Sequence, residues 1–128
     1  MKKILLGIAI TALFTLMAGT AQAQVWPTGN PYTCDWTLNG TSGKAFVTFL
    51  YDPYTNLNTT RTGDLRTVYP NGSSMLKEFS LSWDFFSGSD YRFDYFQGSL
   101  QCTVLTANAG KDVTFYNCSN GAWQHCVQ

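Results

Sequence analysis

From residue 24 onward the 128-residue chain has no stretch in which apolar side chains recur at helical spacing. Apolar, β-branched and aromatic residues instead alternate with polar ones in short runs cut by Asn, Gly, Pro and Ser. A period of two puts successive side chains on opposite faces of an extended backbone, so the pattern specifies half-buried strands and argues against a helical or α/β fold. Strands are predicted at 32–38, 44–51, 64–69, 75–86, 91–97, 100–106 and 112–117. The segments NGTSG at 39–43, PNGSS at 70–74, SGSD at 87–90 and NAGK at 108–111 supply the Asn and Gly that tolerate the positive φ of tight turns. Short turns make consecutive strands antiparallel neighbours. The expected fold class is therefore all-β, a single antiparallel meander closed as a small β-barrel or packed as a β-sandwich. DPYTNLNTTRTG, at 52–63, exceeds the usual connection of about 4–6 residues and is the candidate functional loop.

The beginning of the chain is of a different kind. Lys2 and Lys3 precede an apolar run at 4–18, and Ala21, Gln22 and Ala23 form a small-x-small cleavage pattern. This reads as a secretory signal peptide over 1–23, with a single exported domain over 24–128 and a periplasmic or secreted, bacterial location. No second apolar run could span roughly 30 Å of hydrocarbon, and Thr20 stands where a lipidated Cys would be required, so no membrane anchor is expected. The exported part has six basic and eight acidic residues, net −2, with the basic ones scattered singly. Binding a phosphate backbone takes clustered Lys and Arg, so no nucleic-acid partner is expected. Cys34, Cys102, Cys118 and Cys126, in an oxidising compartment and with no C-x-x-C pair among them, read as two disulfides, and no metal or other cofactor is implied.

The stretch WDFFSGSDYRFDYFQG at 83–98 sets seven aromatic rings around a polar turn. Three loop lengths can be compared by the pairs they create. A four-residue loop pairs Trp83 with Asp94 and Phe85 with Arg92, leaving rings on both faces. A five-residue loop opposes Asp84 and Asp94, two like charges. A three-residue loop, 87–89, pairs Phe85 with Tyr91, Trp83 with Phe93 and Leu81 with Tyr95, and sets Asp84 against Arg92. Cross-strand aromatic and opposite-charge pairs are each worth roughly 0.2–1 kcal/mol, which selects the last register. Trp83, Phe85, Tyr91, Phe93 and Tyr95 then share a face with Phe79 and Leu81 and are read as core. Phe86 and Phe96 point the other way, and Lys77 is a charged exception on the apolar face.

The same method bears on the cysteines. A three-residue loop at 108–110 puts Cys102 opposite Tyr116 and Leu100 opposite Cys118. Cys102 and Cys118 are then diagonal neighbours, about 7–8 Å apart and beyond normal disulfide reach. This leaves Cys34 to bond either Cys102 or Cys118, and Cys126 to take the other.

Chemistry finds little purchase. The one histidine, His125, sits in the C-terminal tail with no local motif that sets a serine beside it, and the cysteines are assigned to disulfides, so the protein is read as not an enzyme. Asp84, Asp90 and Asp94 share a hairpin, but an arginine opposite Asp84 holds it ionised instead of poised as a general acid. Asp52, Tyr54, Asn56 and Asn58 space like the start of a calcium loop, yet Leu57 and Gly63 occupy the positions that need Gly and Glu.

YTCD at 32–35, SGSDY at 87–91 and NC at 117–118 resemble, in order, features of the bacterial C-type lysozyme inhibitors. That family's second motif, with its Thr-Lys-Gly, has no counterpart in the chain. The resemblance implies a small periplasmic or surface β-barrel whose S-G-x-x-Y loop enters a lysozyme active-site cleft. It implies contacts from Ser87 and Tyr91 around Gly88, and a Cys34–Cys118 bond. The expected function is thus an exported, non-enzymatic binding protein with a protein or glycan partner outside the cytoplasm, in its most concrete form an inhibitor of lysozyme type. The alternative is an adhesin or glycan-binding module that uses exposed rings, among them Tyr54, Phe86, Phe96 and Trp123.

Overall fold

The computed structural model describes residues 25–53, 59–87 and 90–128, with the backbone alone at 85–87. The predicted signal peptide, Tyr54, Gly88, and the side chains of Phe85, Phe86 and Ser87 lie outside the described part.

Eight strands, β1 (Tyr32–Leu38), β2 (Thr41–Tyr51), β3 (Thr60–Val68), β4 (Ser74–Ser87), β5 (Asp90–Gln97), β6 (Leu100–Ala107), β7 (Asp112–Tyr116) and β8 (Trp123–Val127), form a closed antiparallel barrel in sequence order. Closure by β1 and β8 decides barrel over sandwich, and it removes the exposed edges that an open meander would leave. The alternation did not announce β8: its inward positions are Gln124 and Cys126, so WQHCV carries no apolar face.

Two connections are shorter than their composition suggested. Asn39 (φ 50°) and Gly40 (φ 77°) make a two-residue turn with both residues in the left-handed region, so residues 41–43 join β2. The candidate loop at 52–63 loses its last four residues to β3, where Gly63 pairs with Tyr51 on one side and Phe79 on the other. A Cβ on Gly63 would sit 2.2 Å from the Leu50 carbonyl oxygen, so this close approach of β2 and β3 requires glycine.

Inward side chains of all eight strands fill the barrel. Phe49 is central: it meets Phe79 edge-on (5.5 Å, 84°), Tyr32 edge-on (5.9 Å, 82°) and Phe115 in a stacked arrangement (6.1 Å, 2°). Such pairs contribute about 0.5–1.5 kcal/mol each beyond the area they bury. Phe79, Leu81, Phe93 and Tyr95 are buried as the hairpin argument required, and Trp83 and Tyr91 are half-buried against them.

The predicted hairpin register holds for Leu81↔Tyr95 and Trp83↔Phe93 and then changes. A bulge between Trp83 and Phe85 shifts the outer pairs to Phe85↔Arg92, Phe86↔Tyr91 and Ser87↔Asp90. The extra residue is Asp84, whose Oδ2 still accepts from Arg92 Nε at 2.9 Å. Two of the three weighed registers therefore coexist, one on each side of the bulge.

The disulfides correct the expected pairing. Cys34 bonds Cys126, and Cys102 bonds Cys118, with Cα–Cα distances of 4.0 Å in both. Neither Cys34–Cys102 nor the Cys34–Cys118 bond implied by the lysozyme-inhibitor resemblance forms. Cys34 faces Cys126 directly across the closing β1–β8 ladder, a neighbour that could not be anticipated without β8. The β6–β7 connection has four residues, 108–111, because Ala107 pairs with Asp112. Asn117 (φ 50°) then inserts one more residue after the Thr103↔Tyr116 pair. Beyond it Ser119 N–H donates to the Gln101 carbonyl at 2.8 Å, and Gln101 N–H to Ser119 Oγ at 3.1 Å. Each one-residue shift moves β7 along β6, and together they turn the diagonal relation of Cys102 and Cys118 into a direct one.

Residues 25–31 close one end of the barrel. Pro27 is fully buried, Trp26 packs on Phe93 with ring centroids 4.6 Å apart, and the Arg61 guanidinium lies over Trp26 (5.6 Å) and Tyr51 (4.7 Å). Thr106 Oγ1 donates to the Val25 carbonyl at 3.0 Å, and the Tyr51 hydroxyl to the Pro27 carbonyl at 2.6 Å. Trp26 is thus a core residue supplied from outside the strands.

Candidate functional site

An up-and-down barrel places its odd-numbered turns at one end and its even-numbered turns at the other. The β2–β3, β4–β5 and β6–β7 connections share the end that residues 25–31 fill. The β1–β2, β3–β4, β5–β6 and β7–β8 connections surround the opposite end, and this end is a mouth. A cavity of about 290 Å³ opens there, floored by Leu65, Tyr95 and Phe115 and bounded nearer the rim by Trp36, Tyr69, Met75, Leu100 and the Cys102–Cys118 disulfide. Eight strands give an interior wide enough either to be filled by side chains or to hold one small ligand. Here side chains fill the plugged end, and the mouth keeps an open cavity.

The aromatic residues of the mouth are held by different means. Trp36 faces inward opposite Gly43, and a Cβ at Gly43 would come within 2.7 Å of Trp36 Cζ2, so the indole lies across a position where only glycine leaves room. Its Nε1–H donates to the Lys44 carbonyl at 3.2 Å. Trp123, the first residue of β8, is 40% exposed at the rim. The polar groups of the wall include the amides of Gln97, Asn120 and Gln124, and among the described residues none that bounds the cavity is Asp, Glu, Lys, Arg or His. Gln97 Oε1 accepts from the Tyr95 hydroxyl at 2.8 Å. Burial raises the Tyr95 phenol well above its ordinary range and so keeps it a proton donor. Asn120 Oδ1 accepts from Ala122 N–H at 2.9 Å within the β7–β8 connection. Both amide oxygens are thereby engaged, and both NH₂ groups are left as donors.

Of the described residues proposed from sequence as binding residues, Trp123 alone lies at the mouth, on the rim and on the outward, His125 side of β8, while the Cys102–Cys118 disulfide lines the wall. Ser87, at the end of β4, and Tyr91, at the start of β5, stand at the plugged end, with Tyr91 packed against the core. Phe96 is 38% exposed on the outer face of β5, beside a shallow depression edged by Asp52, Asp64 and Glu78. Asp64 and Glu78 oppose each other directly across β3 and β4, a like-charge pair. The sequence reading missed Trp36, Tyr69, Gln97 and Asn120. A signal for Trp36 was available in the two-residue Asn39–Gly40 turn, which sets Trp36 opposite Gly43.

His125 lies outside the barrel wall, between Thr114 of β7 and Asp35 of β1, with Nε2 2.9 Å from Asp112 Oδ1 and its ring 6.2 Å from that of Trp123. Asp35 in turn accepts from Lys44 Nζ at 2.6 Å. Among the described residues no three His, Cys, Asp or Glu side chains are grouped to hold a metal ion.

No protein-family model matches the chain, and no curated protein or solved structure is detectably similar to it.

Proposed function

We propose that the protein is an exported binding protein that acts by contact, not catalysis, and that it holds a glycan in the open mouth of the barrel. One observation carries the reading: a one-ended cavity that joins the aromatic side chains Trp36 and Tyr69 to side-chain amides and, among the described residues that bound it, has no ionic group. The apolar faces of sugar rings pack on aromatic rings, while their hydroxyls need hydrogen-bonding partners fixed in place, a mixture common to pockets for small polar ligands. Two disulfides accord with an oxidising compartment, and the N-terminal pattern with the periplasm or exterior of a bacterium. Against catalysis stands the placement of His125, on the outer wall with Asp112 and away from the cavity.

A second reading, inhibition of a lysozyme, draws on the β4–β5 hairpin. The β3 ladder on β4 ends at Ser82, and the β6 ladder on β5 ends at Tyr91, so Phe85, Phe86, Ser87 and Asp90 extend past their flanking ladders as a tip that could enter a cleft. The two readings use opposite ends of the barrel and separate in one experiment. On a glycan array, Trp36→Ala should abolish binding and the double variant Ser87→Ala/Tyr91→Ala should leave it intact. If the array is blank while the wild type inhibits a lysozyme and the double variant does not, the tip is the functional end and the mouth reading fails.

A further inference from the structure

Resting on the glycan reading, we infer that the mouth takes only the terminal residue of an uncharged saccharide, entering along the barrel axis, with Gln97 and Asn120 donating to its oxygens. Eight paired strands close the cavity on every side, and residues 25–31 close the far end, so a ligand reaches the floor only through the mouth. A chain cannot pass through a blind cup; it can insert an end. A volume of about 290 Å³ lies at the bottom of the range for small-molecule pockets, roughly 300–1,000 Å³, and suits one sugar ring with little beyond it.

The polar groups set the chemistry of that ring. The Gln97 and Asn120 oxygens each already accept a bond, from the Tyr95 hydroxyl and the Ala122 N–H, while both NH₂ groups have none among the described residues, so these side chains meet a ligand chiefly as donors. A purely apolar ligand would bury those donors unpaired, which costs free energy; hydroxyl, ring or acetamido oxygens would satisfy them. A carboxylate would accept from them too, but it would leave water without a cation in the cavity wall to meet it. The cation nearest by register is Lys77, which falls on the Met75 and Phe79 side of β4 opposite Leu65. It is exposed and takes no part in the wall.

The test is an array of linear oligosaccharides that differ in their non-reducing terminal residue, neutral, uronate or sialate, on shared interior chains, with the intact protein and the variants Gln97→Leu and Lys77→Ala. Unchanged thermal midpoints show that each variant is folded. Neutral termini should bind, acidic termini on the same interior at least about tenfold more weakly, given the cost of burying an unpaired charge. Gln97→Leu should weaken neutral binding about tenfold, and Lys77→Ala should leave it unchanged. Affinity that follows the interior sugars whatever the terminus overturns end-on insertion, and equal binding of acidic termini that Lys77→Ala abolishes overturns the neutral preference. Both results leave the glycan reading standing. Binding of the neutral apolar probe N-phenyl-1-naphthylamine with no saccharide bound overturns both together.

Discussion

Removing either disulfide tests how the barrel is held shut, because the two bonds close loops of very different length. Cys34–Cys126 spans 92 residues and ties the first strand to the last; Cys102–Cys118 spans 16 and ties neighbours. A cross-link stabilises chiefly by restricting the unfolded chain, and the loop-closure relation gives about 4.6 kcal/mol for the long loop and about 3.1 kcal/mol for the short one at 25 °C. The Cys34→Ala/Cys126→Ala protein should therefore be less stable than Cys102→Ala/Cys118→Ala by about 1.5 kcal/mol. Packing moves the difference the same way: Cys34 and Cys126 are both buried, whereas Cys118 is partly exposed, so the long-loop variant also leaves the larger unfilled volume.

Equilibrium urea unfolding followed by tryptophan emission measures the gap. With an m-value of about 1–3 kcal/mol/M, the two midpoints should differ by about 0.5–1.5 M, the long-loop variant unfolding first. Both variants should also show a larger m than the wild type, since a freed unfolded chain exposes more surface. Equal midpoints, or a lower one for Cys102→Ala/Cys118→Ala, would refute the loop-closure argument and place the stabilisation in the folded state around the mouth.

Two further outcomes follow from packing. Gly63→Ala should destabilise by about 1–3 kcal/mol, since its methyl would meet the Leu50 carbonyl and the strands must part to admit it; an unchanged thermal midpoint would show that β2 and β3 approach less closely than described. Tyr32, Tyr51 and Tyr95 all have pKa values raised above the ordinary 10.0, burial being the leading cause in each, with Arg61 partly offsetting it at Tyr51. The folded state holds these protons after the unfolded chain has released them. Stability should thus be intact below about pH 9 and fall above pH 10, by about 1.4 kcal/mol per pH unit for each of Tyr51 and Tyr95, with Tyr32 acting in the same direction. Urea midpoints at pH 8 to 11, with tyrosinate absorbance, measure the slope, and a flat profile would contradict the burial.

The fold was largely legible because a period of two is a strong signal wherever the inner face is apolar. Phe79, Leu81 and Phe93 sit between polar neighbours, Tyr95 sits between Asp94 and the outward Phe96, and all four are core. What escaped was whatever departs from strict alternation by a single residue. Asp84 and Asn117 each add one residue to a ladder, and one residue is enough to exchange faces or convert a diagonal pair into a direct one. Turn composition signals where a chain bends, not how many residues the bend consumes, so the disulfides could not be deduced from loops counted one residue short. The strand β8 was hidden for another reason: its inward residues are an amide and a half-cystine, and its place is fixed by closure against β1, not by its own pattern.

The candidate site was less legible still, and topology explains why. Trp36, Tyr69, Gln97, Asn120 and Trp123 belong to no motif and are spread over most of the chain. They meet because each lies at or beside an odd-numbered turn, and an even number of antiparallel strands gathers all such turns at one end. Which end becomes the mouth is then decided by the chain's own entry. Residues 25–31 arrive where β1 begins, at the even-turn end, and Trp26, Pro27 and the Arg61 guanidinium fill it from outside. A barrel open at both ends would offer a channel; one sealed by its leading segment offers a cup with a single entrance. The directionality of the proposed site thus originates in seven residues at the opposite pole, none of which would touch a ligand. Loosening that plug should alter stability before it alters specificity.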